Sequence, residues 1–520
     1  MKVLRTLIVV LAAALALVLT ACGGVNDVGT IPDQPVRGGV LEYGTDVQPV
    51  SGGLDPYVTT AFASQNILVQ IYESLLTKDD KGRLKPGLAT RWKKTGPLSY
   101  RFYLRHAEFS NGTALTATDV VFSFDTMKKA GASQAAMLTA LKSVRAVNDH
   151  TVDFQLSAPS TSFLNLVAGE ANGLIVSKAW YTSTPAAQRQ RQALGTGPFM
   201  LTQWQDNVVI KLRRNPHYWH SPLPYLDGID FKIIPDDQAR LAALRQGSVD
   251  AIWLGDQQLA EQVSSEGFVT GKNAETRNLS LYVNATTGAM ANLDFRRALS
   301  EGLNRPQIAK LASYGYGTTS LVVPRGDPAG LAPTKNTPYY TYDPSDARRL
   351  LARSGVTDPT VTIHYPSDAS FARDVALYEV MQEQLKAVGI KVVLDPTPWA
   401  EILADYIKGS WDGLIAVPGT AQPDPTAYFN AFLVPGQPTN KSGKAGTRAA
   451  ALLQQLRQTT SAKRQPVVLR RLENEVADKV LVIVPYVVAQ RQEIWSRRLQ
   501  GYQVDPYSFR RNLKKAWLVP

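Results

Sequence analysis

Five histidines (His106, His150, His217, His220 and His364) and one cysteine, Cys22, are the side chains best suited to catalysis or metal binding in this 520-residue chain. His217 and His220 stand three apart and could share a metal ion, but no third ligand lies near them in the sequence. Asp236-Asp237 is an adjacent carboxylate pair and reads as solvated loop charge. Gly195-Thr196-Gly197-Pro198-Phe199 is glycine-rich, but the Lys-Ser/Thr of a phosphate loop does not follow it. There is no Gly-x-Ser-x-Gly, His-Glu-x-x-His or Walker A sequence. An enzyme needs a positioned nucleophile, base or metal. The residues therefore predict a non-enzyme with no cofactor and no metal, and a lone cysteine excludes a disulfide within the chain.

Cys22 suits other chemistry. Lys2 and Arg5 precede an apolar run from Leu7 to Leu19, too short and wrongly flanked for a membrane span. Residues 1–21 read as a signal peptide, and Leu19-Thr20-Ala21-Cys22 resembles a bacterial lipobox, whose cysteine accepts a diacylglyceryl group. A plain signal peptide cut elsewhere is the alternative. Residues 22–36, rich in Gly, Asn, Asp, Pro and Gln, read as a flexible tether. The expected location is extracytoplasmic, anchored to the bacterial cell membrane by lipidated Cys22. The net charge of +12 is scattered along the chain. Scattered charge of this kind predicts a solvated basic surface and, with an outward signal, no nucleic-acid partner. Anionic lipid surfaces or an anionic ligand remain open.

Behind these residues lie recognisable elements. Ile67, Leu68, Ile71, Tyr72, Leu75 and Leu76 recur at helical spacing, and Tyr100, Phe102 and Leu104 alternate with polar neighbours as a half-buried strand. Asn111-Gly112 marks a turn, and Thr116 with Asp119 caps the next helix. Strand 228–234, helix 238–246, Gly247 and strand 249–254 form a β-α-β run. Further on, Asp343 caps a helix from Pro344 to Gly355; strand 361–365, a helix ending at Gly389, strand 390–394, a helix after Trp399 and strand 414–417 complete an open sheet. Ligands of open α/β sheets bind beyond the carboxyl ends of the strands. A 44% apolar content over this length supports two or three cores.

Several stretches in fixed order carry a resemblance: Ile71-Tyr72-Glu73-Ser74-Leu75-Leu76; Pro86-Gly87-Leu88-Ala89-Thr90-Arg91-Trp92; Phe102-Tyr103-Leu104-Arg105; Phe109-Ser110-Asn111-Gly112-Thr113; and Thr118-Asp119-Val120-Val121-Phe122-Ser123-Phe124. They are joined by Gly195-Thr196-Gly197-Pro198-Phe199, Arg214-Asn215-Pro216-His217-Tyr218-Trp219 and Asp294-Phe295-Arg296-Arg297-Ala298-Leu299. The chain resembles family 5 of the extracytoplasmic solute-binding proteins, the oligopeptide/dipeptide/nickel class that feeds ABC importers.

That resemblance implies an α/β, type II periplasmic-binding-protein-like fold of two hinged lobes with mixed sheets and a subdomain inserted in the first lobe. The expected division is 37–60, 195–275 and 485–520 for the first lobe, 61–194 for the insert and 276–484 for the second lobe. It implies a monomer that captures a peptide, peptide-like or small polar solute between its lobes and delivers it to a permease and ATPase complex. An envelope lipoprotein of the same fold that senses or regulates cell-envelope synthesis is the alternative. Trp399, Tyr486, Asn284, Tyr43 and Tyr282 are candidate cleft residues, with core packing the other reading of each. Peptide-binding members carry an amine-pairing carboxylate where this chain has Ala421, and a Trp where it has Pro418. Asp424 is the candidate substitute for that carboxylate, or else simply starts a helix with Pro425.

Overall fold

The computed structural model describes residues 31–520 except 50–51, 60–61, 80–82, 130–137, 139, 161–162, 170–172, 273–276, 314, 328, 369–373, 420–424, 460, 462, 489–491 and 505–512. Strand Val40–Thr45 lies at the centre of a seven-stranded sheet, parallel to both Gly228–Ile233 and Ala251–Leu254. The chain reaches the second of these through helix Asp237–Arg245 and Gly247, whose φ of 70° needs a residue without a Cβ. Asp236 caps that helix by accepting from the Ala239 N–H (2.7 Å), and Asp237 pairs with Arg240. The adjacent carboxylates thus hold a helix start. Antiparallel strands complete both sides: Val209–Arg214 and Phe199–Gln205 on one, Gln492–Trp495 and Val269–Lys272 on the other.

A four-stranded antiparallel sheet, Ala89–Gly96, Ser99–Leu104, Thr151–Leu156 and Leu141–Asn148, lies within the chain between the first two strands of that sheet. Phe102, Phe154 and Phe163 pack under it, against Phe124 of helix Ala117–Lys129. Asp119 accepts from the N–H and hydroxyl of Thr116, closing the expected cap, and from the Lys178 N–H (2.8 Å). Three sequence motifs meet at half-buried Glu73. Its carboxylate accepts from Trp219 Nε1 (2.8 Å), the Thr196 hydroxyl (3.1 Å) and the Tyr218 hydroxyl (3.2 Å). Burial raises the Glu73 pKa, opposed by Lys514 and these donors.

The second sheet runs Lys391–Thr397, Thr360–Pro366, Leu414–Gly419, Arg277–Val283, and the short strands Val482–Ile483 and Val487–Val488 both pair with Arg277–Val283. Helices Pro344–Ser354, Val375–Lys386 and Leu293–Glu301 cover one face and build a core of their own with Phe295, Leu350, Tyr378 and Met381. In the final return, Val482–Ile483 and Val487–Val488 are separate short strands, interrupted at Pro485, which supplies no N–H. At Val488 the chain still lies on the second sheet, opposite Arg277, so it returns to the first sheet beyond 485, before Gln492. Among the described strands the chain crosses between the two large sheets twice, after Lys272 and after Val488.

Candidate functional site

Three of the expected cleft residues converge on one aromatic cluster of the second sheet. Trp399 opens helix Trp399–Lys408 behind Pro398 and donates its backbone N–H to Asp368 Oδ2 (2.6 Å). Pro398 offers no side-chain cap, so the Asp368 carboxylate satisfies a donor that the helix leaves over and sits at its positive end. Half-buried Trp399 packs with Tyr282, Tyr406 and Val417 against buried Ile402, Trp411 and Ile415. Tyr282 lies between Tyr406 (5.2 Å between ring centroids) and Phe432 (5.7 Å). Burial pushes both the Tyr282 and Tyr406 hydroxyls up, so both stay neutral hydrogen-bonding groups at physiological pH. Asn284, at the end of the crossing strand, donates to the Trp411 carbonyl (2.7 Å) and accepts from the Thr286 N–H (3.1 Å) and hydroxyl (2.5 Å). Only 4% exposed, it anchors the loop that carries Trp411.

The other expected residues lie elsewhere. Tyr486 is 2% exposed in the second sheet's core. Beside it, Arg277 pairs with Asp374 (2.5 Å) in a buried ion pair at the first residue after the crossing. Burial alone would lower the Arg277 pKa, but Asp374 overcomes it and the net shift is upward. Tyr43 is buried in the central strand of the first sheet, its ring 5.7 Å from Phe231. Asp424, Ala421 and Cys22 fall outside the described residues. Pro418 ends up in the sheet, opposite Leu279.

Sequence reasoning missed Tyr406, Trp411 and the Arg277–Asp374 pair. Trp399, Ile402 and Tyr406 recur at i, i+3 and i+7, a spacing that marks one helix face and was available as a signal. The histidines do not gather at one site: His217 Nδ1 meets Glu108 (2.8 Å), His220 stacks on Trp219 (4.8 Å), His364 lies between Asp395 (2.7 Å) and Asp412 (2.8 Å), and His106 packs edge-on against His150 (4.4 Å between ring centroids). Among the described residues no group of three His, Cys, Asp or Glu side chains is arranged to hold a metal ion, and no helix is long and apolar enough to cross a membrane. Among the described residues, the Tyr316 hydroxyl donates to Glu261 (2.8 Å), a side-chain bond between elements of the two lobes.

Residues 83–440 match the family model of bacterial extracellular solute-binding proteins, family 5 Middle. The oligopeptide-binding protein AppA of Bacillus subtilis (strain 168) is 24% identical over 97% of this chain and 97% of its own length. The fold superposes on AgaA from A. tumefaciens R10, solved with agropinic acid, with a TM-score of 0.79 at 20% identity, covering 92% of this chain and 99% of that one. It superposes on DppA from Helicobacter pylori, solved with the peptide STSA, with a TM-score of 0.78 at 22% identity over 93% and 99%. These likenesses show the fold: α/β, type II, two lobes.

Proposed function

We propose that this chain, which belongs to the bacterial extracellular solute-binding proteins of family 5, captures a peptide-like or small polar solute between its lobes and delivers it unchanged to an ABC permease. The observation that carries the reading is the double crossing. Among the described strands, two sheets with separate cores are joined by two connections, after Lys272 and after Val488. Few covalent links between independently packed halves are what hinge closure needs. The lobes then turn about the passages after Lys272 and after Val488, with the insert within 61–194. Closure uses the differential affinity of the closed form for the cargo, and no covalent step is required.

Trp399 and Tyr282 supply an aromatic wall, while Asn284 holds its frame. Ala421 and Pro418, in place of a carboxylate and a Trp, favour a cargo recognised without a free α-amine. Cys22 is the anchor to the extracytoplasmic side of the cell membrane, and Cys22→Ser should release the chain from membranes. Mass spectrometry of compounds that copurify with the protein, followed by calorimetry with each, tests the ligand class. Amidated or amine-blocked compounds should bind as tightly as their free-amine forms. A strict requirement for the free amine would overturn it.

A further inference from the structure

The outer face of the four-stranded sheet is strongly charged. Its inner residues, Phe102, Val152 and Phe154, are buried, so the alternate positions face outward. Register sets those positions side by side across all four strands: Lys93 opposite Arg101, Arg101 opposite Asp153, and Asp153 opposite Arg145. In the next row Arg91 stands opposite Tyr103, with its guanidinium 3.7 Å from the ring centre. The face thus carries four cations against one carboxylate. That carboxylate is already engaged by Arg101 (2.6 Å) and Arg145 (3.4 Å). Arg91, Lys93 and Arg145 are exposed, and Tyr103 is half-buried among them. Four strands at their usual spacing make a plane about 14 Å wide and about 20 Å long.

Like-signed charges on neighbouring strands repel one another, which sheets ordinarily avoid. Concentrating them on an exposed sheet face suits an extended partner of opposite sign. We infer that this face rests on the surface of an anionic lipid bilayer, with Arg91, Lys93, Arg101 and Arg145 over the headgroups and Tyr103 at the interface. Charge complementarity supports that partner, and an interfacial tyrosine suits it. So does the lipid-anchor reading, which puts Cys22 nine residues before Ile31, a reach of about 30 Å at full extension.

The test uses the full chain carrying Cys22→Ser throughout, so that failure of the anchor reading cannot pass for failure of this one. Cosedimentation is measured with vesicles of phosphatidylcholine alone and of phosphatidylcholine mixed with phosphatidylglycerol. Binding should require the anionic lipid and weaken steeply with added salt. Arg91→Gln with Lys93→Gln should weaken it about 25-fold, at about fivefold per cation near a charged lipid surface. Lys310→Gln with Lys444→Gln, exposed on the second lobe, should leave it unchanged. Unchanged binding of the Arg91/Lys93 variant, or equal binding to neutral vesicles, would overturn the inference. So would equally tight, equally Arg91/Lys93-dependent capture of soluble polyphosphate, which would assign the face to a polyanion.

Discussion

Glu473 is a single carboxylate whose ionisation couples to the whole fold. It is fully buried and accepts the N–H groups of Val322 (3.1 Å) and Val323 (2.9 Å). Burial outweighs those bonds and raises its pKa from 4.5 to about 7. The folded state therefore holds the proton more tightly than the unfolded chain does. The stability this contributes is complete below pH 4.5 and is lost as pH rises through about 7. The difference over that window is about 3 kcal/mol. Urea unfolding between these limits should show the loss in the native protein and a flatter profile in Glu473→Gln; equal slopes would contradict it. Asp374 is the converse case. Removing it leaves the Arg277 guanidinium buried without its partner, so Asp374→Ala should cost about 3–5 kcal/mol in the same measurement. A cost below 1 kcal/mol, on the order of an exposed pair, would show that water reaches the site.

At the scale of elements, the starts and stops of helices were legible because their signals are local. Asp343 accepts from the N–H groups of Ser345 and Asp346, and Gly355 closes the same helix at a φ of 65°. Gly389, at a φ of 92°, follows the helix that begins at Val375. The meeting of Trp399, Tyr406 and Tyr282 was not legible, because it depends on Arg277–Val283 pairing with Leu414–Gly419 and on a helix laid over both. The motifs around Glu73 were legible as motifs. Their shared acceptor was not, since nothing local links Thr196, Tyr218 and Trp219 to one carboxylate. The Asp368 cap yields a prediction at this scale. Asp368→Ala should cost helix Trp399–Lys408 about 1 kcal/mol and speed amide exchange about fivefold in its first turn, with the remaining helices unaffected. Uniform acceleration across the second lobe would instead mean that Asp368 supports the lobe as a whole.

For the whole molecule the question is the angle between lobes. Tyr316 belongs to the second lobe, two residues before Thr318, which pairs with Val487 beside the crossing. Glu261 lies on helix Gln257–Val263 of the first lobe. Their hydrogen bond therefore spans the pivot, and rotation of the lobes must break or remake it. Tyr316→Phe should broaden the distribution of interlobe distances without changing the unfolding midpoint appreciably, because an exposed bond is worth little to global stability. A distribution identical to that of the native protein would show that the contact does not set the angle.

That distance also gives the most direct test of the central claim. Cys22 is the only cysteine, so Cys22→Ser with Val208→Cys and Val467→Cys places one dye on an exposed position of each lobe. Single-molecule energy transfer is then followed as a compound recovered from the purified protein is added back. The account predicts a shift to a second, distinct interlobe distance, saturating with the compound and reversed on dilution, with the compound recovered chemically intact. A single distance unmoved by bound compound, or conversion of that compound to product, would contradict it.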